Sequence, residues 1–417
     1  MKKIGILFVL LASASWLSCG GGGSKTVQRL QTFLPKRAFI TNSSTTNGAA
    51  VVSIIDAAKD LFGNHAITVA PGTNVIATTI PGKVSVASSR TTFQVAVIDN
   101  NLEGVKSAIS LPAETESMAI TPDGGWAFAA VHNTNTIEIM DLSHGTLCTN
   151  LTTTCRGPIT VNAPTKIVLS GDGKTLLAFS DNSITADSVA VIDAVAAISS
   201  TGITVPITPV SGFHKAVNAV FASDNVTAYV LNCGQECGGA AGTAGVQLLH
   251  TTAATNTGTL GSASATVPAT VAALDNGNLY VAGTAPPTPP GNPVVLNAGR
   301  ITKLNATTLA VGTSQIMPPG YHDTIAVQSG KVFVGSRACT VTAPPNQSCL
   351  GIFDGTNTVI SSTFEGDVTG MQAISGRSVV YVIMGGELRI YDANTSAPQS
   401  QQLDIIGHAE QVVQVDP

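Results

Sequence analysis

Apolar and polar positions along this chain fall into short runs broken by Gly, Pro, Asp and Asn. The clearest stretch is Met118–Asp141, MAITPDGGWAFAAVHNTNTIEIMD. Its apolar strand leads into a Pro-Asp-Gly-Gly turn, a second strand covers Trp126–Val131, and a polar turn holds His132–Asn135. A third strand, Thr136–Met140, ends at Asp141. Two apolar runs joined by a short Asp-Gly turn are the strongest local signal for a β-hairpin. The third strand recurs as VVSIID to Asp56, VAVID to Asp99, IEIMD to Asp141 and VAVID to Asp193. The same slot then reads QLLH to His250, ITKLN to Asn305, GIFD to Asp354 and LRIYD to Asp392, giving eight units spaced 38 to 57 residues apart. A strand-rich repeat of roughly 40–50 residues is the period of a propeller blade, each blade being one small antiparallel sheet.

Labelling the strands of a blade a to d from the central channel outward, every unit after the first carries its own inner strand, from Val75–Ile80 through Met371–Ile374. The first unit begins at strand b, Ala38–Thr41, and Glu410–Asp416 (EQVVQVD) reads as its missing strand a. The sequence therefore predicts an all-β fold: a β-propeller of about eight four-stranded blades, closed by the C-terminal strand pairing with the N-terminal blade, which leaves no open edge at the seam. Seven blades is the alternative, because the unit ending at Asp99 has an irregular turn at Ile80-Pro81-Gly82.

The phrases RAFITN…VVSIID and ITPDGGWAFAAVHNTNTIEIMD resemble the bacterial YVTN-type β-propeller repeat, with its PDG turn and Val-Ile-Asp strand. The resemblance runs over nearly all of the chain after Arg37 and is sharpest in the units ending at Asp56, Asp141 and Asp193. It implies a propeller of the lactonase-like and quinoprotein-dehydrogenase-like kind, and a fold more firmly than an activity, because such folds host binding modules, lactone hydrolases and cofactor enzymes alike. No full set of lactonase active-site residues can be matched onto this chain.

Ahead of the repeats, Met1-Lys2-Lys3 is basic, Ile4–Ala12 is apolar and Ser13–Ser18 is small. An apolar core this short reads as a secretory signal peptide and not a membrane span. Leu17-Ser18-Cys19-Gly20 resembles a lipobox, which makes Cys19 the lipidation site, although Trp16 stands where that pattern has an aliphatic residue and Ala12-Ser13-Ala14 offers an ordinary cleavage site. Residues 1–18 are thus read as signal peptide, 19–36 as lipid-anchor cysteine and Gly-rich tether, and 37–417 as a single propeller domain. The expected location is the cell envelope, as an outer-membrane or surface lipoprotein, or periplasmic or secreted without the lipid.

Charged residues make up 11% of the chain against a typical ~25%, and the net charge is −5 without a Lys/Arg cluster. Nucleic-acid binding needs a basic footprint and is not expected. Apart from Cys19, the six remaining cysteines fall into local pairs, Cys148/Cys155, Cys233/Cys237 and Cys339/Cys349. Nearest-neighbour disulfides suit an oxidising compartment, with Cys148/Cys155 expected in a c–d connection; zinc sites use other spacings.

The Asp closing each strand c has a structural reading, since it can accept hydrogen bonds from the following turn. Function is sought where the repeat is broken. In an up-and-down blade the b–c and d–a connections share one face, here called upper. The long b–c insertions, Asn232–Gly245, Thr284–Gly299 and Arg337–Cys349, fall in the fifth to seventh blades and should gather on one sector of it. His214, His322 and His408 precede strands a, His132 ends a strand b, and Glu114, Glu116 and Asp323 occupy d–a positions, so these residues with Arg337 are the candidate binding set. Convergent imidazoles and carboxylates can ligate a divalent metal or act as acid and base. No cofactor is predicted beyond that metal option. There is no GxSxG, HExxH, Walker or Rossmann motif, so nothing in the sequence demands an enzyme. Three readings stand: a binding module for a protein, glycan or small ligand; a metal-assisted hydrolase or lactonase at the channel mouth; and a cell-envelope scaffold component.

Overall fold

The computed structural model describes residues 31–44, 50–79, 82–149, 155–181, 187–199, 205–240, 242–252, 257–284, 299–339, 348–400 and 403–417. The proposed signal peptide, Cys19 and most of the tether lie outside these residues, as do 285–298 and 340–347 of the b–c insertions in blades 6 and 7.

Eight antiparallel sheets form a ring, each built from strands in the order a-b-c-d. Strand b of blade 1 is Arg37–Asn42, and its inner neighbour is the C-terminal strand Ala409–Gln414, with Ala38 opposite Gln414, Phe39 opposite Val413 and Ile40 opposite Val412. The predicted closure is therefore present. Blade 2 is complete, from Thr73–Thr78 to Gly104–Ser110, despite its irregular turn. Blade 3 departs from the pattern. Its strand d is split into Thr146–Leu147 and Ile159–Thr160, both paired with Thr136–Asp141, so the Cys148–Cys155 bridge interrupts strand d and does not sit in the c–d turn where the spacing had placed it.

Strands b and c of each blade have neighbours on both faces, which is why they read as apolar runs without polar alternation. Alternate residues serve opposite partners: Ala38 and Ile40 pack with Tyr381 and Ile383 of blade 8, whereas Phe39 packs with Ile76 and Ile98 of blade 2. Eight apolar clusters result, one at each blade–blade junction. Outer strands alternate instead, as in Leu61–Thr68.

Polar residues on the lower face fasten the junctions on either side of blade 1. The Arg377 guanidinium donates to both carboxylate oxygens of Asp60 at 2.6 and 2.7 Å, and the Tyr381 hydroxyl donates to Asp60 at 2.6 Å, linking blade 8 to blade 1. Arg37 donates to both oxygens of Asp416 at 2.7 Å and to Glu103 of blade 2 at 3.0 Å.

The recurring strand-c residue is a turn-former. Asp99 accepts from the backbone N–H of Asn101 and Leu102, Asp354 from Thr356, Asn357 and Thr358, and Asp392 from Asn394 and Thr395. Asn305 does the same with Thr307 and Thr308. These bonds hold the Asp354 carboxyl well below the usual range. Asp123 of the PDG turn accepts from Thr121 and Gly125 in the same way.

Candidate ligand-binding face

Antiparallel order puts the starts of strands a and the ends of strands b on the upper face. In six of the eight blades the a–b pairing slips near this end, at Ile40/Asn42, Thr73/Val75, Pro164/Lys166, Ala216/Asn218, His322/Thr324 and Val368/Gly370. Such bulges re-aim side chains at a rim.

In blade 7 the slip falls at Asp323. Arg337, at the end of strand b, donates from Nε to Asp323 at 2.5 Å, and Tyr321 lies directly opposite Arg337 across the strand pair. A third group arrives from blade 5. Glu236 sits in the 3-10 turn Gly234–Cys237, pinned by the Cys233–Cys237 disulfide, and accepts from the backbone N–H of Thr284 at 3.0 Å. Thr284 Oγ1 in turn bonds to the Gly320 carbonyl, beside Tyr321. Lys166, just past the bulge of blade 4, is coupled electrostatically to Asp323.

These groups are desolvated by the protein around them. Lys166 and Tyr321 retain exposed surface, yet the surrounding protein desolvates them, lowering the lysine and pushing the tyrosine up to about 12. Burial raises Asp323 to about 6 against the pull of Arg337 and Lys166, and raises Glu236 to about 7 against its bond from Thr284. Near neutral pH this sector thus presents a lysine whose charged form burial opposes, a guanidinium paired to a carboxylate, a phenol and a carboxyl close to its titration point.

The other candidates divide. Glu114, Glu116 and His132 come together with Asp181 between blades 3 and 4: His132 Nε2 is 3.3 Å from Asp181, and burial raises Glu116, which senses His132, Glu114 and Asp181. His408 lies in a separate patch with Glu410, 3.8 Å away, and Glu410 also meets Arg90 at 3.1 Å. His214 is exposed on the linker into blade 5. His322 is a correction. It is 1% exposed, with Nε2 3.0 Å from the Pro318 carbonyl and Nδ1 3.4 Å from Thr284 Oγ1, and burial lowers it to about 4, so it is a neutral structural group in the blade wall. Its sequence neighbours point the other way, as strand alternation requires.

The histidines and carboxylates therefore form separate patches and not one constellation. Among the described residues no group of three or more His, Cys, Asp or Glu is placed to hold a metal ion. All three predicted disulfides are formed. Lys166, Asp181, Glu236 and Tyr321 escaped the sequence reading. Lys166 alone carried a signal, as a lone charge within the apolar inner strand Pro164–Leu169.

No family model and no curated protein matches the sequence. Solved structures do. The chain is similar to the dihydro-heme d1 dehydrogenase NirN in complex with DHE (TM-score 0.66, 9% identity, covering 93% of this chain and 76% of that one). It is also similar to a functionally unknown protein from Desulfotomaculum acetoxidans DSM 771 (TM-score 0.55, 14% identity, 91% and 99% covered) and to BamB from Moraxella catarrhalis (TM-score 0.54, 12% identity, 86% and 95% covered). At these identities the likeness establishes the β-propeller fold alone.

Proposed function

We propose that this chain is an exported, lipid-anchored propeller of the YVTN type that binds a protein, glycan or small ligand at the upper mouth of its channel. The observation that carries the reading is the approach of Glu236 of blade 5 to Tyr321, Asp323 and Arg337 of blade 7, with Lys166 of blade 4 coupled electrostatically to Asp323. Keeping such groups desolvated costs stability, and a ligand that bonds to them offsets that cost. The rigid ring holds them in place, so little ordering is needed on binding. Export and anchoring rest on the signal-like start, Cys19 and the Gly-rich run behind it. Fold neighbours include both a dehydrogenase and BamB, so the fold by itself favours neither an enzyme nor a scaffold.

The test is capture of envelope components on immobilised protein, identified by mass spectrometry, with the Lys166→Met/Arg337→Gln variant beside it. A species retained by the native protein and lost from a folded variant supports the mouth; equal retention rejects it. Mass spectrometry of the mature N-terminus should show an acylated Cys19, and an unmodified terminus near Ala14 would reject the anchor.

A further inference from the structure

We propose that the upper-face cleft at the outer part of blade 5 is a second binding site, for one ring of an uncharged sugar. The cleft has a volume of ≈ 230 Å³. It is lined by the linker from blade 4 (Gly212 and His214), by the end of the b–c connection (Gly242 to Gly245), and by strands c and d, including Gln247 and Ser264, which lie directly opposite each other. Immediately below, the c–d pairing slips between Gln247 and Leu249, so Gly245–Thr252 and Thr257–Ala265 lose regular register beside the opening.

Its walls are fixed without a ligand. The linker and the connection are tied together by the Cys233 N–H to the Lys215 carbonyl at 2.9 Å, the Gly234 N–H to the His214 carbonyl at 3.1 Å and the His214 N–H to Asn232 Oδ1 at 3.0 Å. The Cys233–Cys237 bridge closes the same segment. Gly234 has φ +55°, and a Cβ there would lie 2.2 Å from Ala244 N, so only glycine lets the connection fold back onto itself.

The lining chooses the ligand class. It is mostly polar, supplied by backbone, amide and hydroxyl groups, so an apolar ligand would leave donors and acceptors unpaired. His214 is the one ionisable side chain among the lining residues, so a charged ligand lacks a dedicated counter-charge. Hydroxyl groups donate and accept, which matches the amide of Gln247 and the hydroxyls of Thr243, Ser264 and Thr266. The volume falls below the ~300–1,000 Å³ of drug-sized pockets and suits a single ring. This inference does not rest on the channel-mouth reading, because none of the five mouth residues lines the cleft.

The test is a titration of the ¹⁵N-labelled protein with D-glucose, D-galactose, D-mannose and N-acetyl-D-glucosamine, followed by amide shifts, with acetate and inorganic phosphate as charged probes. At least one sugar should produce saturable shifts centred on residues 212–214, 243–247 and 264–266, and Gln247→Ala should weaken it about five- to tenfold. Ser264→Leu, which fills the cleft and projects no charge, should abolish the response while the remaining spectrum stays native. The proposal is overturned if none of the four sugars shifts these amides at 50 mM, roughly fiftyfold above a dissociation constant of about 1 mM. It is equally overturned if the shifts survive both variants unchanged, or if acetate or phosphate gives the stronger response.

Discussion

Replacing Arg377 by Met should weaken the junction where the ring is closed by its two chain ends. Arg377 makes a bidentate pair with Asp60 at 2.6 and 2.7 Å and also donates to the Ala57 carbonyl at 2.6 Å. Asp60 is 4% exposed and also accepts from Tyr381, whose ionisation its buried setting and this bond oppose. Removing one partner of a buried pair costs ~3–5 kcal/mol, most of it the desolvation of the charge left behind. The Arg377 side chain is 24% exposed and Tyr381 still bonds to Asp60, which puts the loss near the lower limit, about 3 kcal/mol. The assay is urea unfolding at neutral pH followed by far-ultraviolet circular dichroism. A control is Lys174→Met, which breaks the more exposed pair with Asp172 at 3.2 Å and should cost less than about 1 kcal/mol. The double variant Arg377→Met/Asp60→Asn should lose much less than the sum of the single changes, since the two residues act as a unit. If Arg377→Met costs no more than Lys174→Met, the seam is not held by this pair and the reasoning fails.

Two pH effects of opposite sign should be separable. His322 is lowered to about 4 from an ordinary 6.5, so its contribution is complete above pH 6.5 and is lost as pH falls toward 4; a shift of that size corresponds to about 3 kcal/mol, and His322→Gln should flatten the acid limb of the stability curve. Glu236 is raised to about 7 from 4.5, so the native state loses stability as pH rises through that interval; Glu236→Gln, which keeps an acceptor for Thr284, should gain about 1 kcal/mol at pH 8 after allowance for solvent screening, and no gain would contradict the assigned environment. Truncation after His408 removes the inner strand of blade 1 with its buried Ala409, Val412 and Val415, and gel filtration should find aggregate instead of monomer. Changing Cys233 and Cys237 to Ser opens a loop of sequence separation 4 and should cost at most about 2 kcal/mol in thermal unfolding, because short loops gain little from cross-linking.

The ring was legible in the sequence because each blade repeats the same local instructions. Asp99, Asn305, Asp354 and Asp392 each set a turn with their own side chain, and such short-range bonds leave a direct mark on sequence. Closure was legible too, since a unit lacking strand a and a surplus strand at the far end complete one another. The corner around Asp323 and Arg337 was legible in outline only. His322, Asp323 and Arg337 were read as upper-face residues, but the strand alternation that turns His322 inward while Tyr321 and Asp323 point the other way was not applied to them. Lys166 and Glu236 join that corner from blades 4 and 5, and no local pattern reports which residues face each other across a channel. The Cys148–Cys155 loop was misplaced for a related reason: strand d pairs on one side only and tolerates an interruption that spacing alone does not reveal.

The claim that the upper mouth is where this propeller meets its ligand is tested most directly by site-specific photo-crosslinking in intact cells. A photoreactive residue at Tyr321 is compared with one at Asn394, in the c–d turn on the lower face. Reading the ring in this way predicts one defined adduct from position 321 and none from 394. Adducts of equal yield from both positions, or from 394 alone, would contradict it.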